Sequence, residues 1–190
     1  MFVLTKFTDI VKLSPDTFSI ATATALTSTI NAKFSNKVVQ DIGLCICLYD
    51  ILHSSDGIVQ AGDGCAYVTV EFRLVVFRPF MGEVLTGKIA NCTETGIKVT
   101  LGFFEDIFIP QHLLFEGTVF DATEQAWIWK TEDNELYLDQ DETVRFRVEE
   151  ELFTDCTPGE KGKIDEALTP YCLTASAQVS GLGNIAWWED

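Results

Sequence analysis

Tyr67-Val68-Thr69-Val70-Glu71-Phe72-Arg73-Leu74-Val75-Val76-Phe77-Arg78-Pro79-Phe80 is the most informative stretch of this 190-residue chain. Val68, Val70, Phe72, Leu74 and Val76 recur at period two, with Thr69, Glu71 and Arg73 between them, which predicts a half-buried strand over 67–77. Pro79 has no N–H to give a ladder and stops the strand. The charge balance changes at the same place. Residues 1–79 hold six basic against seven acidic side chains and residues 80–190 hold seven against 22, so nets of −1 and −15 make up the formal −16. A broken ladder and a shift in charge together predict two domains, 1–79 and 80–190.

Upstream of this stretch, Met1 to Val11 is rich in Phe, Val, Ile and Thr and predicts a first strand. Ser14-Pro15-Asp16 has the form of a helix start: a hydroxyl cap, Pro in the first turn and an acid beside it. The helix is expected to run to about Phe34, with Phe18, Leu26, Ile30 and Phe34 on one face. Lys37 to Leu52 predicts a largely buried strand or strand pair broken near Gly43. His53-Ser54-Ser55-Asp56-Gly57 and Ala61-Gly62-Asp63-Gly64 predict turns. Strand, helix, strands make the first domain a small α+β unit. Downstream, short strands are expected over 82–89, 97–101, 107–109, 126–130, 135–138, 144–148 and 171–177, with a short helix near 111–114. That pattern predicts an all-β Greek-key barrel of the OB type. A polar excursion over 155–169, containing Pro158-Gly159 and Lys161-Gly162-Lys163, is expected to be mobile.

Composition narrows the function classes. With 47% hydrophobic and 22% charged residues the chain is of globular type. No run of 18 uncharged apolar residues occurs and the N-terminus lacks a signal peptide's features, which predicts an intracellular protein with no membrane role. The net charge opposes coating of nucleic acid by long-range attraction, but it leaves room for a local basic site. Six cysteines form no C-x-x-C pair and only two histidines are present, so no metal centre is expected. Cys45 and Cys47, two apart on a strand, are expected on one face as small buried hydrophobes. Phosphate-loop, G-x-S-x-G and H-E-x-x-H motifs are missing. Gly62-Asp63-Gly64 precedes a strand, so it is a turn rather than a phosphate cradle. Neither catalytic residues nor a cofactor are expected. The acidic segments, 132–142 with six acids in eleven positions and Glu149-Glu150-Glu151, leave three readings open: a solvated hairpin, a hard-cation site, or a face for a basic partner.

Binding is better supported than catalysis. OB-type barrels hold single strands by stacking bases on aromatics within a basic groove. The candidate cations are Lys88, Lys98, Arg145 and Arg147. Alternation places Lys98 opposite Ile97 and Val99, and puts Arg145 beside Arg147. Ion pairing to flanking acids is an equal alternative for the two arginines.

Several ordered segments resemble one family. Val75-Val76-Phe77-Arg78-Pro79-Phe80-Met81-Gly82-Glu83-Val84, following Gly62-Asp63-Gly64, resembles the domain junction of the RNA polymerase stalk subunits shared by archaea and eukaryotes. Leu101 to Pro110 (LGFFEDIFIP), Glu124-Gln125-Ala126-Trp127-Ile128-Trp129, and Gly181-Leu182-Gly183 with Trp187-Trp188 resemble the RNA polymerase III branch of that family. The resemblance spans essentially the whole chain. It implies an N-terminal truncated RNP-like tip domain followed by an S1-type OB-fold barrel. It also implies a nuclear, non-catalytic subunit that forms a heterodimer with a smaller helical stalk subunit and docks on the RNA polymerase III core. Such a subunit would act with initiation factors and contact nascent single-stranded RNA. Partner docking is expected on the apolar sheet of the first domain and the loop at His53, Ser54, Ser55, Asp56 and Gly57. One departure matters. Where RNA-binding members carry aromatics after a second-strand glycine and a histidine ending the third strand, this chain has Ile97 and Lys98 after Gly96, and Ile109. RNA contact by the chain alone is therefore expected to be weak and salt-sensitive. The alternatives are a free-standing OB-fold RNA-binding protein in RNA processing or translation and, more distantly, a hydrolase built on the acidic cluster.

Overall fold

The structure is a computed structural model that describes residues 1–131, 134–155 and 169–188. It divides into two compact units, Met1–Arg78 and Pro79–Asp190.

The first unit is built on strand β5 (Ala66–Phe77), which contains the alternating stretch. Strand β1 (Phe2–Leu13) pairs antiparallel along its whole length, from Phe2 opposite Phe77 to Leu13 opposite Ala66. On the other side β5 pairs with β3 (Gly43–Ser54), which pairs with β2 (Lys37–Val39); the short β4 (Ile58–Val59) joins the far end of β5. Helix α1 (Thr22–Phe34) covers one face of this sheet. Leu26 and Ile30 pack there with Val68, Val70, Phe72, Leu74 and Val76 in a single apolar cluster. The Asn31 carboxamide oxygen accepts the Leu48 N–H at 2.7 Å and ties helix to sheet at a bulge of β3.

Three expectations need correction here. The single helix from Ser14 to Phe34 is instead a 3-10 turn, Pro15–Ser19, and α1, separated by Ile20 and Ala21, whose extended ψ breaks the ladder. Phe18 therefore leaves the helical stripe and is 51% exposed. Cys45 and Cys47 point to opposite faces. The bulge between them sets Cys45 opposite Val76 and Cys47 opposite Val75, so Cys45 is buried and Cys47 exposed. Strand β3 is fully buried only over its first three residues; beyond them Leu48 and Ile51 pack against the core cluster while Tyr49 and Leu52 face outward.

The second unit holds β6 (Val84–Thr93), β7 (Gly96–Thr100), β8 (Ile107–Pro110), β9 (Thr118–Asp121), β10 (Ala126–Lys130), β11 (Glu135–Leu138), β12 (Thr143–Phe153), β13 (Tyr171–Ser176) and β14 (Gly183–Asn184). Neighbours run β12-β6-β7-β8-β13, and β13 returns to β12, so five strands close on themselves. All these pairings are antiparallel except β8 with β13. One parallel pair in a five-stranded closed path is the OB-type connectivity. Inward residues at period two (Ile89, Ile97, Val99, Ile107, Ile109, Phe146, Val148 and Leu173) fill the barrel. Between β8 and β12 the chain makes a second sheet, β9-β10-β11. Trp127 lies at its centre, fully buried, with its indole N–H donating to the Thr93 carbonyl at 3.1 Å. The expected short helix at 111–114 is a 3-10 turn, Gln111–Leu113. Of the polar excursion over 155–169, residues 156–168 lie outside the described residues.

Candidate nucleic-acid interface

Alternation along β6, β7 and β12 places inward positions in the core and leaves Thr86, Lys88, Lys98, Thr143, Arg145 and Arg147 on the barrel's outer surface. The strands carrying them are neighbours. Thr143 stands opposite Lys88, which stands opposite Thr100, and Arg145 stands opposite Thr86. All four candidate cations therefore share one surface of three adjoining strands. Their chemistry differs. Lys98 is 3.9 Å from the Asp106 carboxylate. Arg147 holds Glu149 through two nitrogens, at 2.8 and 2.6 Å, as the ion-pair alternative anticipates for that residue. Arg145 is half-buried and donates to the Gly181 carbonyl at 3.1 Å.

Ile97 and Ile109, at the positions lacking stacking groups, have no exposed surface and belong to the core. Two aromatics missed in the sequence stand outside instead. Phe108, 37% exposed, is the cross-strand partner of Lys98, and Phe103 is 47% exposed in the loop before β8. Phe108 was legible: Ile107 and Ile109 flank it at period two, so it must point outward. The Trp187-Trp188 end folds back on the barrel unit. Trp187 lies 5.6 Å from Trp129 and 6.1 Å from Phe115, and the Trp188 indole donates to the Leu182 carbonyl at 2.8 Å. Phe115 and Trp129 are stacked at 4.3 Å.

The segment expected as a docking turn is placed differently. His53 and Ser54 are the last residues of β3, paired with Glu71 and Val70, and the turn begins at Ser55. There the Ser55 hydroxyl accepts the Thr69 N–H at 3.0 Å. Asp56 and Gly57 follow, and then Ile58 and Val59, 74% and 61% exposed, which are conspicuous apolar residues at one end of the unit. Asp63 stabilises the neighbouring turn. Its carboxylate accepts the Cys65 N–H at 3.0 Å and the Tyr67 hydroxyl at 2.8 Å, and pairs with Lys12 at 3.0 Å.

The backbone N–H of Cys65 first, then Lys12 and Tyr67, hold the Asp63 carboxyl down at about 2. A carboxyl whose pKa is lower in the folded state stabilises above its unfolded value near 3.9, and that contribution is lost as pH falls towards about 2. Asp63→Asn is therefore expected to be less stable than the parent at pH 7, with the difference shrinking as pH drops below about 4. Thermal unfolding of both proteins across that window checks this; a gap that does not narrow counts against the turn's dependence on charge.

Burial pushes Cys92 up to about 11 and also raises Cys45 and Cys172. Among the described residues, no group of three His, Cys, Asp or Glu side chains is placed to hold a metal ion. Of the acids in 132–142, Glu142 accepts the Asp139 N–H at 2.9 Å and the Asn184 carboxamide at 2.7 Å, closing the turn before β12. Glu149 to Glu151 belong to β12 itself.

Comparison with known proteins adds independent information. Residues 83–188 match the family described as RNA polymerase III subunit Rpc25, and residues 8–64 match the SHS2 domain found in the N terminus of Rpb7p/Rpc25p/MJ0397. The chain is 46% identical to the DNA-directed RNA polymerase III subunit rpc8 of Schizosaccharomyces pombe, with 100% of both chains covered. It is 43% identical to the Saccharomyces cerevisiae RPC8, again over 100% of both, and 42% identical to that of Bos taurus, over 99% of this chain and 98% of the relative.

Proposed function

The chain belongs to the family of the RNA polymerase III subunit Rpc25, and on that premise we propose that it is a non-catalytic stalk subunit of DNA-directed RNA polymerase III. In this reading it acts in the nucleus, in transcription initiation, and contacts emerging RNA. The observation that carries the reading is end-to-end similarity, 46% and 43% over 100% of both chains, to subunits of that polymerase. A free-standing RNA-binding protein would share the barrel but not an N-terminal SHS2 unit of the Rpb7 and Rpc25 type.

Within this reading the N-terminal unit, one helix on an antiparallel sheet, is the truncated RNP-like tip. It docks on the polymerase core through the Ser55–Val59 end, where Ile58 and Val59 offer apolar surface that a partner would remove from water. A smaller helical stalk subunit completes the heterodimer, and initiation factors are further partners. The barrel meets nascent RNA through Lys88, Lys98, Arg145 and Arg147, weakly, because two of the four are neutralised within the chain. Affinity purification of the tagged chain from its own cells is expected to recover the RNA polymerase III core together with the smaller stalk subunit. Recovery of neither overturns the assignment.

A further inference from the structure

Lys88 stands apart from the other cations of the barrel unit. Lys98 and Lys130 reach Asp106 and Glu135 at 3.9 and 3.5 Å, Arg147 holds Glu149, and Arg145 is bonded to a carbonyl. Among the described residues, Lys88 is the one Lys or Arg of this unit whose side chain forms no hydrogen bond or ion pair. It borders a concavity of about 410 Å³ on the outer surface of β12, β6 and β7, lined by Thr86, Gly87, Lys88, Thr100, Gly102 and Thr143 among others. Gly87 forms its floor in close contact with the next strand. A Cβ there would stand 2.8 Å from both the Thr100 carbonyl oxygen and a Val99 methyl. The Thr100 hydroxyl is occupied, accepting the Gly102 N–H at 2.9 Å. The hydroxyls of Thr86 and Thr143, on either side of the lysine, have no partner among the described residues.

An ammonium group and two free hydroxyls around an open recess are the donors a phosphoryl oxyanion needs. Among the described residues, no carboxylate lines the recess. That absence is notable in a domain whose net charge is −15, since an acid would otherwise be the expected neighbour of an exposed lysine. Phe103, next in sequence to the lining residue Gly102, is 47% exposed. We infer that the recess between β12, β6 and β7 is a single-phosphate site, with Lys88, Thr86 and Thr143 as its donors, that takes one phosphodiester of the emerging RNA strand. The inference rests on the RNA contact proposed above, and it assigns that contact to the Lys88 recess rather than to the Lys98–Phe108 side of the barrel.

The test is a titration of the full ¹⁵N-labelled chain, followed by NMR, with a single-stranded oligouridylate and separately with inorganic phosphate. Both ligands are expected to shift the amides of Thr86 to Lys88, Gly102 and Thr143. Lys88→Gln is expected to weaken oligonucleotide binding roughly five- to tenfold at low salt, and to make the slope of log K against log salt shallower by about 0.7, the loss of one phosphate contact. Thr86→Val and Thr143→Val, near-isosteric, are each expected to cost about threefold. Lys98→Gln should cost less than Lys88→Gln, because Asp106 already screens it. Thermal unfolding of each variant reports whether it is folded, and the parent titration with phosphate needs no variant at all. Oligonucleotide shifts confined to Lys98 and Phe108, with Lys88→Gln unchanged, would overturn the recess and leave RNA contact standing. Phosphate shifts at the recess without any oligonucleotide response would keep the anion site and overturn its RNA occupant. No response to either ligand would overturn both.

Discussion

Trp127→Ala is expected to destabilise the barrel unit by about 3–5 kcal/mol, the range for deleting a fully buried large aromatic. The side chain has no exposed surface. It packs 5.4 Å from Phe120 and donates its indole N–H to the Thr93 carbonyl at the end of β6. Its loss removes apolar burial, opens a cavity between the β9-β10-β11 sheet and the barrel, and leaves a carbonyl without its donor. Against a typical domain stability of about 5–15 kcal/mol, that is enough to populate unfolded chain at physiological temperature. Denaturant unfolding followed by far-ultraviolet circular dichroism measures the loss without depending on the missing indole. Tyr137→Ala is the control. Tyr137 belongs to the same sheet but its ring is on the outer face, 37% exposed, so a loss below about 1 kcal/mol is expected. Equal losses at the two positions would mean that the sheet is not anchored through Trp127.

That tryptophan was visible in the sequence as part of a motif, but its role was not. Alternation at Tyr67–Phe77 gave the central strand of the first unit nearly to the residue, because both its neighbours pair along its length and nothing interrupts the period. Where a bulge intervenes, period-two reasoning fails by one residue and reverses every face after it. Cys47 shows this: read with Cys45 it belonged inside, and the bulge turns it out. The helix start at Ser14-Pro15 was read from sound local signals, yet those signals describe a 3-10 turn as well as an α-helix. Only the packing of Leu26 and Ile30 on the sheet says where the longer helix begins. Strand β9, four residues with no alternation of their own, was missed because it exists by pairing with β10. The four cations of the candidate interface were legible as outward residues, and their proximity follows from strand order, which one-dimensional pattern cannot supply.

Charge, treated residue by residue, changes meaning in the same way. A net of −15 over residues 80–190 describes a domain that repels a polyanion at distance. Close to the surface the relevant quantity is which cations remain unpaired. Ion pairs absorb Lys98, Lys130 and Arg147, and exposed pairs of this kind contribute little to stability. Their effect is selective instead, since among the described residues of this unit they leave Lys88 and Arg145 without an acidic partner, and only the Lys88 side chain is without any hydrogen bond. A single-phosphate site of the kind proposed binds briefly and without sequence preference, and one phosphate contact gives it only a shallow dependence on salt. Such behaviour suits the proposed role, in which a larger assembly delivers RNA to the subunit.

Gly96→Ala is expected to cost on the order of 3 kcal/mol or more, the upper part of the range for overpacking with backbone displacement. The steric case is direct. A Cβ at this position would lie 2.2 Å from the Ile109 carbonyl oxygen, 2.9 Å from the Pro110 Cα and 2.8 Å from the Phe108 ring. Two of the three are backbone atoms of β8, so relief requires the β7–β8 ladder to separate where Gly96 stands opposite Pro110. Separation there also frees the Phe108 ring, which lies over Gly96, so the aromatic on the Lys98 side should lose its fixed orientation. Gly102→Ala is the matched comparison. Its φ of +87° is equally unfavourable for an L-residue, but a Cβ there meets nothing within 4 Å, so only a conformational cost of about 1–2 kcal/mol applies. Chemical unfolding of the two variants separates contact from conformation. If Gly96→Ala proves no worse than Gly102→Ala, the close approach of β8 to β7 is not as the structure places it. If it is far worse, the glycine after which this chain carries Ile97 and Lys98 has a structural duty, holding two strands together, that is independent of whether the strand also binds RNA.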